Sequence, residues 1–406
     1  MKPDEQELIE ITPLQKTIER LLTDYHQTPV VLERSTLLTN PARRNRIWRC
    51  HLKASAAHVP ETVIIKQVKP DGYAPADPAS WDTSRFFRDW AGAQFLSAFM
   101  REEGHGPAFY GGDVEQGFIV LEDMGEHMSL VAPLLEGDAA SANHALLAFA
   151  RRLGRMHASS VGKEEFYREI QRQISPAWAA IDGKSPEGER EERGKRVGEF
   201  TDICTRLGVE AGEDATQDLI GSLTRSTDPG PFKTFIHGDP CPDNVFYRAP
   251  ELRLIDFEFS SFGHALRDGL YGRWPFPTCW CANAVPAEVL QQMETAYRTE
   301  LSVACSEVLD EARFAEAASA IAVCLALDVL RWELEGALKQ DDSWGIAGTR
   351  ARILSRIAMF LDLARTAHQL PALCEVYEKI LVQLQNRWPE AAPLPVSPAF
   401  RTEATA

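Results

Sequence analysis

The chain has 406 residues, of which 44% are hydrophobic and 25% charged, and a formal net charge of −16. Domains run to about 100–200 residues, so the length allows two or three lobes with sizeable cores. The acidic balance argues against a nucleic-acid partner, which would recruit Lys/Arg patches, and permits a cationic small-molecule one.

Residues 14–22 (LQKTIERLL) space their apolar positions as a helix does. Residues 46–53 (RIWRCHLK) alternate, and residues 62–68 (TVIIKQV) are apolar and β-branched with a single lysine, Lys66, inside; both read as strands. Residues 70–80 are rich in Pro, Gly and Asp and read as a loop, and residues 84–101 as an amphipathic helix. A strand over residues 117–121 then runs into Glu122-Asp123-Met124-Gly125. The first 125 residues therefore read as a small mixed lobe of strands with one packed helix.

From residue 126 to 388 the pattern is mainly helical, with amphipathic stretches at 144–157, 310–339 and 350–367. The longest apolar run, residues 317–327, is too short for a bilayer and reads as a buried helix, so no membrane partner is expected. The charge run at 183–196 reads as a solvated face or a mobile loop. Residues 389–406 form a Pro/Ala-rich tail expected to be disordered. The first ten residues lack the apolar core of a signal peptide. The eight cysteines are dilute, which suits a reducing, cytoplasmic setting. Cys279 and Cys281 form a CxC with no further ligands at sensible spacing, so no zinc site is assigned.

One segment interrupts the helices. Residues 232–262 (FKTFIHGDPCPDNVFYRAPELRLIDFEFSSF) read as a strand, a polar turn and a hairpin with acidic residues at both ends. Phosphoryl transfer asks for such a set. It needs a carboxylate beside the attacking hydroxyl, oxygen ligands for magnesium, and a lysine on the remaining phosphates. Asp239 follows His237-Gly238, Asn244 comes five residues later, and Asp256 opens Asp256-Phe257-Glu258. The first spacing is that of the protein-kinase catalytic loop, and the Asp-Phe pair is similar to its metal-binding triplet.

HGDPCPDN followed by LIDFE resembles the aminoglycoside phosphotransferase and choline/ethanolamine kinase superfamily, over about residues 33–370. The resemblance implies an α+β, protein-kinase-like fold of two lobes, residues 1–125 for the nucleotide and 126–388 for catalysis and acceptor. It implies Asp239 as the catalytic carboxylate, Asn244 and Asp256 as magnesium ligands, and Lys66 on the phosphates with Asp89 as its helix partner, shorter than the usual Glu. Glu122 and Met124 stand at the hinge, where main-chain groups hold the adenine. Glu258, in place of the kinase glycine, is a weaker candidate beside the metal. His237 and Asp268 are read as supports of the catalytic loop. Residues 35–47 hold none of the glycines of a kinase phosphate loop, and no residue is assigned there, although Arg43, Arg44 and Arg46 are placed to meet phosphates.

The expected activity is transfer of the γ-phosphoryl group of ATP, with GTP not separated from it, to a hydroxyl of a small acceptor with magnesium. The acceptor is an amine alcohol, a sugar or an aminoglycoside-like molecule. The alternative is a catalytically weak nucleotide-binding or scaffold protein of the same fold. Two features suit a cationic acceptor: the aromatic-dense residues 271–281, and Trp332 among Asp328, Glu333 and Glu335. Ordinary packing of a large lobe explains them at least as well.

Overall fold

A computed structural model describes residues 3–40, 42–99, 104–126, 128–183, 185–248 and 251–401. It opens with α1 (Pro3–His26), β1 (Val30–Leu37), β2 (Asn45–Ala54), β3 (Thr62–Val68), α2 (Trp81–Phe99), β4 (Phe109–Asp113), β5 (Phe118–Glu122) and β6 (Met128–Ser129). Helices α3 (Val131–Leu135), α4 (Ala139–Ser160), α5 (Glu164–Ile174), α6 (Pro176–Asp182), α7 (Pro186–Leu207) and α8 (Glu213–Thr227) follow. Short strands β7 (Lys233–Ile236), β8 (Val245–Arg248), β9 (Glu251–Leu254) and β10 (Ser261–His264) come next. The chain closes with α9 (Leu266–Gly269), α10 (Ala287–Leu301), α11 (Glu311–Lys339), α12 (Thr349–Thr366) and α13 (Pro371–Arg387). The α+β class is as expected. No helix among the described residues is long and apolar enough to cross a membrane.

The chain divides into two compact units, one of Met1–His127, Glu165–Gly183 and Arg253–Ser260, the other of Met128–Glu164, Lys184–Leu252 and Ser261–Ala406. The expected lobes were contiguous; here two later segments return to the first unit. The reason is local to that unit. Tyr167 of α5 and Phe87 of α2 bury rings there, the latter against Trp178, and Leu254 donates its N–H to the His105 carbonyl at 2.7 Å.

In the first unit five antiparallel strands lie in the order β1-β2-β3-β5-β4. Ile11, Leu14, Ile18 and Leu22 of α1 fall on one helical stripe and pack on Trp48, Cys50, Val63, Ile65, Phe118 and Val120. Each such buried side chain contributes about 1.5–3 kcal/mol. Because strand side chains alternate, Val63 and Ile65 facing α1 put Lys66 on the opposite face, where α2 contributes Asp89. Strands β1 and β4 were not anticipated. A register shift between Leu32 and Arg34, and another between Phe109 and Gly111, break the period-two pattern in both.

The second unit is helical. The apolar run of α11 is buried as expected, with Ile321, Val323, Cys324 and Leu327 wholly inaccessible. Of the two readings of the charge run at 183–196, the solvated face is the one seen: it enters the exposed start of α7, which Ser185 caps by accepting the Gly188 N–H at 3.2 Å. One expectation is corrected. The tail is ordered through Arg401. Ala284 donates to the Pro395 carbonyl at 2.8 Å, Ser397 returns a bond to the Ala284 carbonyl at 2.9 Å, and Leu394 is buried. Its last five residues lie outside the described ones, as do the final two of the expected 84–101 helix.

Candidate active site

Within the first unit, Lys66 lies between two carboxylates. Its Nζ is 2.7 Å from Asp89 Oδ2 and 2.6 Å from Asp256 Oδ1. Burial works to lower the Lys66 pKa, but the charges and hydrogen bonds of Asp256 and Asp89 outweigh it and hold the ammonium above its ordinary value. The short Asp89 side chain does not loosen the pair. Its second oxygen accepts the Phe257 N–H at 2.8 Å, which fixes the segment carrying Asp256.

Asp256 itself has φ +67, a left-handed conformation that Asp tolerates better than most residues and that concentrates at functional sites. The neighbouring Phe257 ring is buried where α2 carries Gly92; a Cβ there would lie 2.5 Å from the Phe257 Cβ. A helix-interior glycine costs about 1 kcal/mol against alanine, and here it makes room for the segment that carries Asp256.

Glu258 forms ion pairs with Arg44 and Arg85, and Arg44 also lies 3.7 Å from Asp82. The residues left unassigned between β1 and β2 form a glycine-free turn. Asn40 accepts the Ala42 N–H with its side chain and the Arg43 N–H with its carbonyl, and Arg44 is turned to acids. At the end of β5, Glu122 uses its side chain structurally, accepting from the Ala108 N–H at 3.0 Å and from Arg253 at 2.9 Å. Arg49 grips Asp123 with two donors, at 2.6 and 3.1 Å. The Met124 main chain makes no hydrogen bond to the described residues.

Within the second unit, β7 delivers His237, Gly238 and Asp239 into a tight turn. Asp268, buried, accepts the N–H of His237 at 2.6 Å and of Gly238 at 3.1 Å, and His157 lies 3.4 Å from it. Gly238 has φ +81, the region where only glycine sits without strain. The His237 ring accepts the Asp239 N–H at 3.3 Å. Both residues thus brace the loop, as expected of them.

The Asp239 carboxylate is held by one oxygen. Its Oδ1 accepts from the Tyr271 hydroxyl at 2.5 Å, from the Thr278 hydroxyl, and from the Cys241 thiol at 3.0 Å. Its Oδ2 has no partner among the described residues. Asn244 donates Nδ2 to the Asp239 carbonyl at 3.1 Å, which leaves its amide oxygen free of protein partners. Tyr271 and Thr278 were missed as individuals. Their signal was the aromatic-dense stretch 271–281, in which Tyr271, Trp274 and Phe276 are buried packing and Trp280 is exposed.

Two of the three acids expected around Trp332 are committed elsewhere: Asp328 is buried against Arg196 at 2.5 Å and Arg331 at 3.2 Å, and Glu335 pairs with Lys339. Of the three, only Glu333, exposed beside Trp332, has no ion pair among the described residues.

Comparison with known proteins adds three findings. No curated protein matches the sequence. Loose resemblances in shape include the ADP-bound aminoglycoside phosphotransferase APH(2'')-Ib, at 13% identity and a TM-score of 0.42, covering 89% of this chain and 99% of that one. Others are choline kinase from Cryptosporidium parvum Iowa II (12%, TM-score 0.40, covering 87% and 92%) and Plasmodium vivax ethanolamine kinase (11%, TM-score 0.43, covering 83% and 84%). The model of the phosphotransferase enzyme family matches residues 93–304, more than half of the 406 residues, and includes Asp239, Asn244 and Asp256. The chain belongs to the phosphotransferase enzyme family and is a phosphotransferase.

Proposed function

We propose that this phosphotransferase moves the γ-phosphoryl group of ATP to a hydroxyl of a small, hydroxylated acceptor, with Asp239 receiving the hydroxyl proton. The observation that carries the reading is the asymmetric grip on Asp239. Three donors fix Oδ1, and Oδ2 is left to accept a hydrogen bond from an incoming hydroxyl. In the first unit, Lys66 is the cation for the phosphates, and Asp89 orients it. The free main chain at Met124 supports the hinge reading, whereas Glu122 has both its side chain and its N–H committed, the latter to the Ala108 carbonyl.

Magnesium fits the donor chemistry of each unit taken by itself: in the first, Asp256 offers a carboxylate, and in the second, Asn244 offers an amide oxygen whose amide nitrogen is already tied. When bound, the metal would neutralise phosphate charge. For the acceptor, Thr278 links Asp239 to an exposed aromatic surface, since its carbonyl accepts from Trp344 Nε1 at 3.2 Å and Trp280 lies close in sequence. Exposed tryptophans suit a cationic or sugar-like face.

The test is a panel of aminoglycosides, macrolides, choline-like amines and sugars assayed with ATP or GTP and magnesium. Asp239→Ala should lose about 10²–10⁴-fold in turnover on the active acceptor and keep its thermal shift with nucleotide. A variant at full rate would remove Asp239 from the role, and a wild-type protein without any nucleotide-dependent shift would favour the scaffold alternative.

A further inference from the structure

The sequence leaves Cys279-Trp280-Cys281 without companions, but the fold of the second unit supplies them. Cys241 Sγ, an Asp243 carboxylate oxygen and Cys279 Sγ all lie within 4.8 Å of one another. Asp243 Oδ1 is 3.5 Å from Cys279 Sγ, and Cys281 Sγ is 2.9 Å from Cys279 Sγ. The three thiols are buried, while Asp243 reaches solvent and leaves a path of entry.

A second observation is independent of the thiols. Arg352 and Arg356 of α12 are buried, and the Nε of each lacks a hydrogen-bond partner. Their terminal nitrogens go to carbonyl oxygens: Arg352 to Cys279 at 3.0 Å and Trp344 at 2.7 Å, Arg356 to Pro277. Among the described residues neither forms an ion pair, and the exposed Glu333 carboxylate acts on both only through space. Two buried guanidiniums with one exposed carboxylate in range leave this part of the fold short of negative charge.

We propose that Cys241, Asp243, Cys279 and Cys281 form a binding site for one soft divalent cation of the zinc type. Zinc–sulfur bonds of about 2.3 Å and zinc–oxygen bonds of about 2.0–2.2 Å place tetrahedral ligands roughly 3.5–3.8 Å apart. The Asp243–Cys279 separation already fits; Cys281 Sγ, 2.9 Å from Cys279 Sγ but outside the set of atoms within 4.8 Å of one another, completes the tetrahedron by rotation of its side chain. Thiolates select a soft ion over magnesium. Three thiolates and a carboxylate around a divalent ion leave two negative charges, which Arg352 and Arg356 balance. Binding releases the thiol protons to solvent.

The consequence falls on the loop of Asp239. The cation would tie the turn between Asp239 and Asn244 to the stretch holding Thr278. It would also withdraw the Cys241 thiol from Asp239, leaving Tyr271 and Thr278 as donors. This is a positioning role, and the metal site does not depend on the phosphotransferase reading.

The experiment is a cobalt titration of the reduced full-length protein without nucleotide. The expected result is one cobalt per chain, with a thiolate-to-cobalt charge-transfer band and the intense visible bands of tetrahedral cobalt, both abolished by zinc. Cys279→Ser and Asp243→Asn should each weaken binding at least about tenfold, while Cys305→Ser, elsewhere in the unit, should not. Asp243→Asn, at an exposed position, serves where Cys279→Ser fails to fold. A folded wild-type protein lacking the charge-transfer band overturns the proposal. So does unchanged affinity in Asp243→Asn, or a Cys279–Cys281 disulfide whose reduced form takes up no cobalt.

Discussion

The two units hold their candidate carboxylates by different physics. In the first, charge is held against charge: Lys66 is shared by Asp89 and Asp256, a triad with one negative charge in excess. In the second, neutral groups do the holding. Two hydroxyls and a thiol converge on Asp239, and two main-chain N–H groups on Asp268. Neutral donors fix a carboxylate without cancelling its charge, so Asp239 keeps its full negative charge while held in place. An ion pair must exchange partners before either member can meet a ligand. On the proposed function the excess negative charge on the triad would favour that exchange, with a metal for Asp256 and phosphate for Lys66.

The largest effect should come from breaking the charged side. Lys66→Met leaves Asp89 buried with only the Phe257 N–H as partner, and is expected to cost about 3–5 kcal/mol in denaturant unfolding and to abolish the nucleotide-induced thermal shift. Adding Asp89→Asn should recover part of that loss; strict additivity would mean that the two charges do not depend on each other. Next, Gly92→Ala inserts a Cβ into the space of Phe257 and Ser260, with an expected loss of about 1–3 kcal/mol and weaker nucleotide binding as the Asp256 segment shifts. An unchanged melting curve would show that the segment has slack.

The neutral side should respond more gently. His264 is buried and accepts the Leu266 N–H on Nδ1 at 3.2 Å. Burial first, then the neighbouring Arg267 and His157, pushes its pKa down from 6.5 to about 3. Between those values the unfolded chain carries a proton that the folded one refuses, so stability rises with pH. The contribution is complete above about 6.5 and fades as pH falls towards about 3, by at most about 1.4 kcal/mol per pH unit. Unfolding curves between pH 7 and 5 for wild type and His264→Gln should diverge accordingly, and parallel curves would refute the assignment. The smallest effect belongs to Tyr271→Phe. It removes one of three donors on Asp239, an expected loss of about 1 kcal/mol, or roughly five- to tenfold in turnover, with nucleotide affinity unchanged.

Much of this was legible along the chain. Lys66 declared itself as a lone ammonium in an apolar strand, and the spacing Asp239–Asn244–Asp256 is a local signature of turn and hairpin. The strands carrying register shifts were hidden because an inserted residue breaks the alternation that marks a strand. The tail was misjudged from composition, which registers prolines and alanines but not the apolar cluster with Ala282 and Ala347 in which Leu394 is buried.

The sequence by itself determined the family, the helical and strand periods, and the chemical identity of the principal site residues, because propensity, turn chemistry and motif spacing act over a few residues. Only the tertiary structure decided who holds whom. Tyr271 and Thr278 reach Asp239 across 32 and 39 residues, Lys66 meets Asp256 across 190, and Cys241 comes beside Cys279. Such contacts arise when buried polar groups must find partners in whatever the packing brings near, and one-dimensional spacing carries no record of that search.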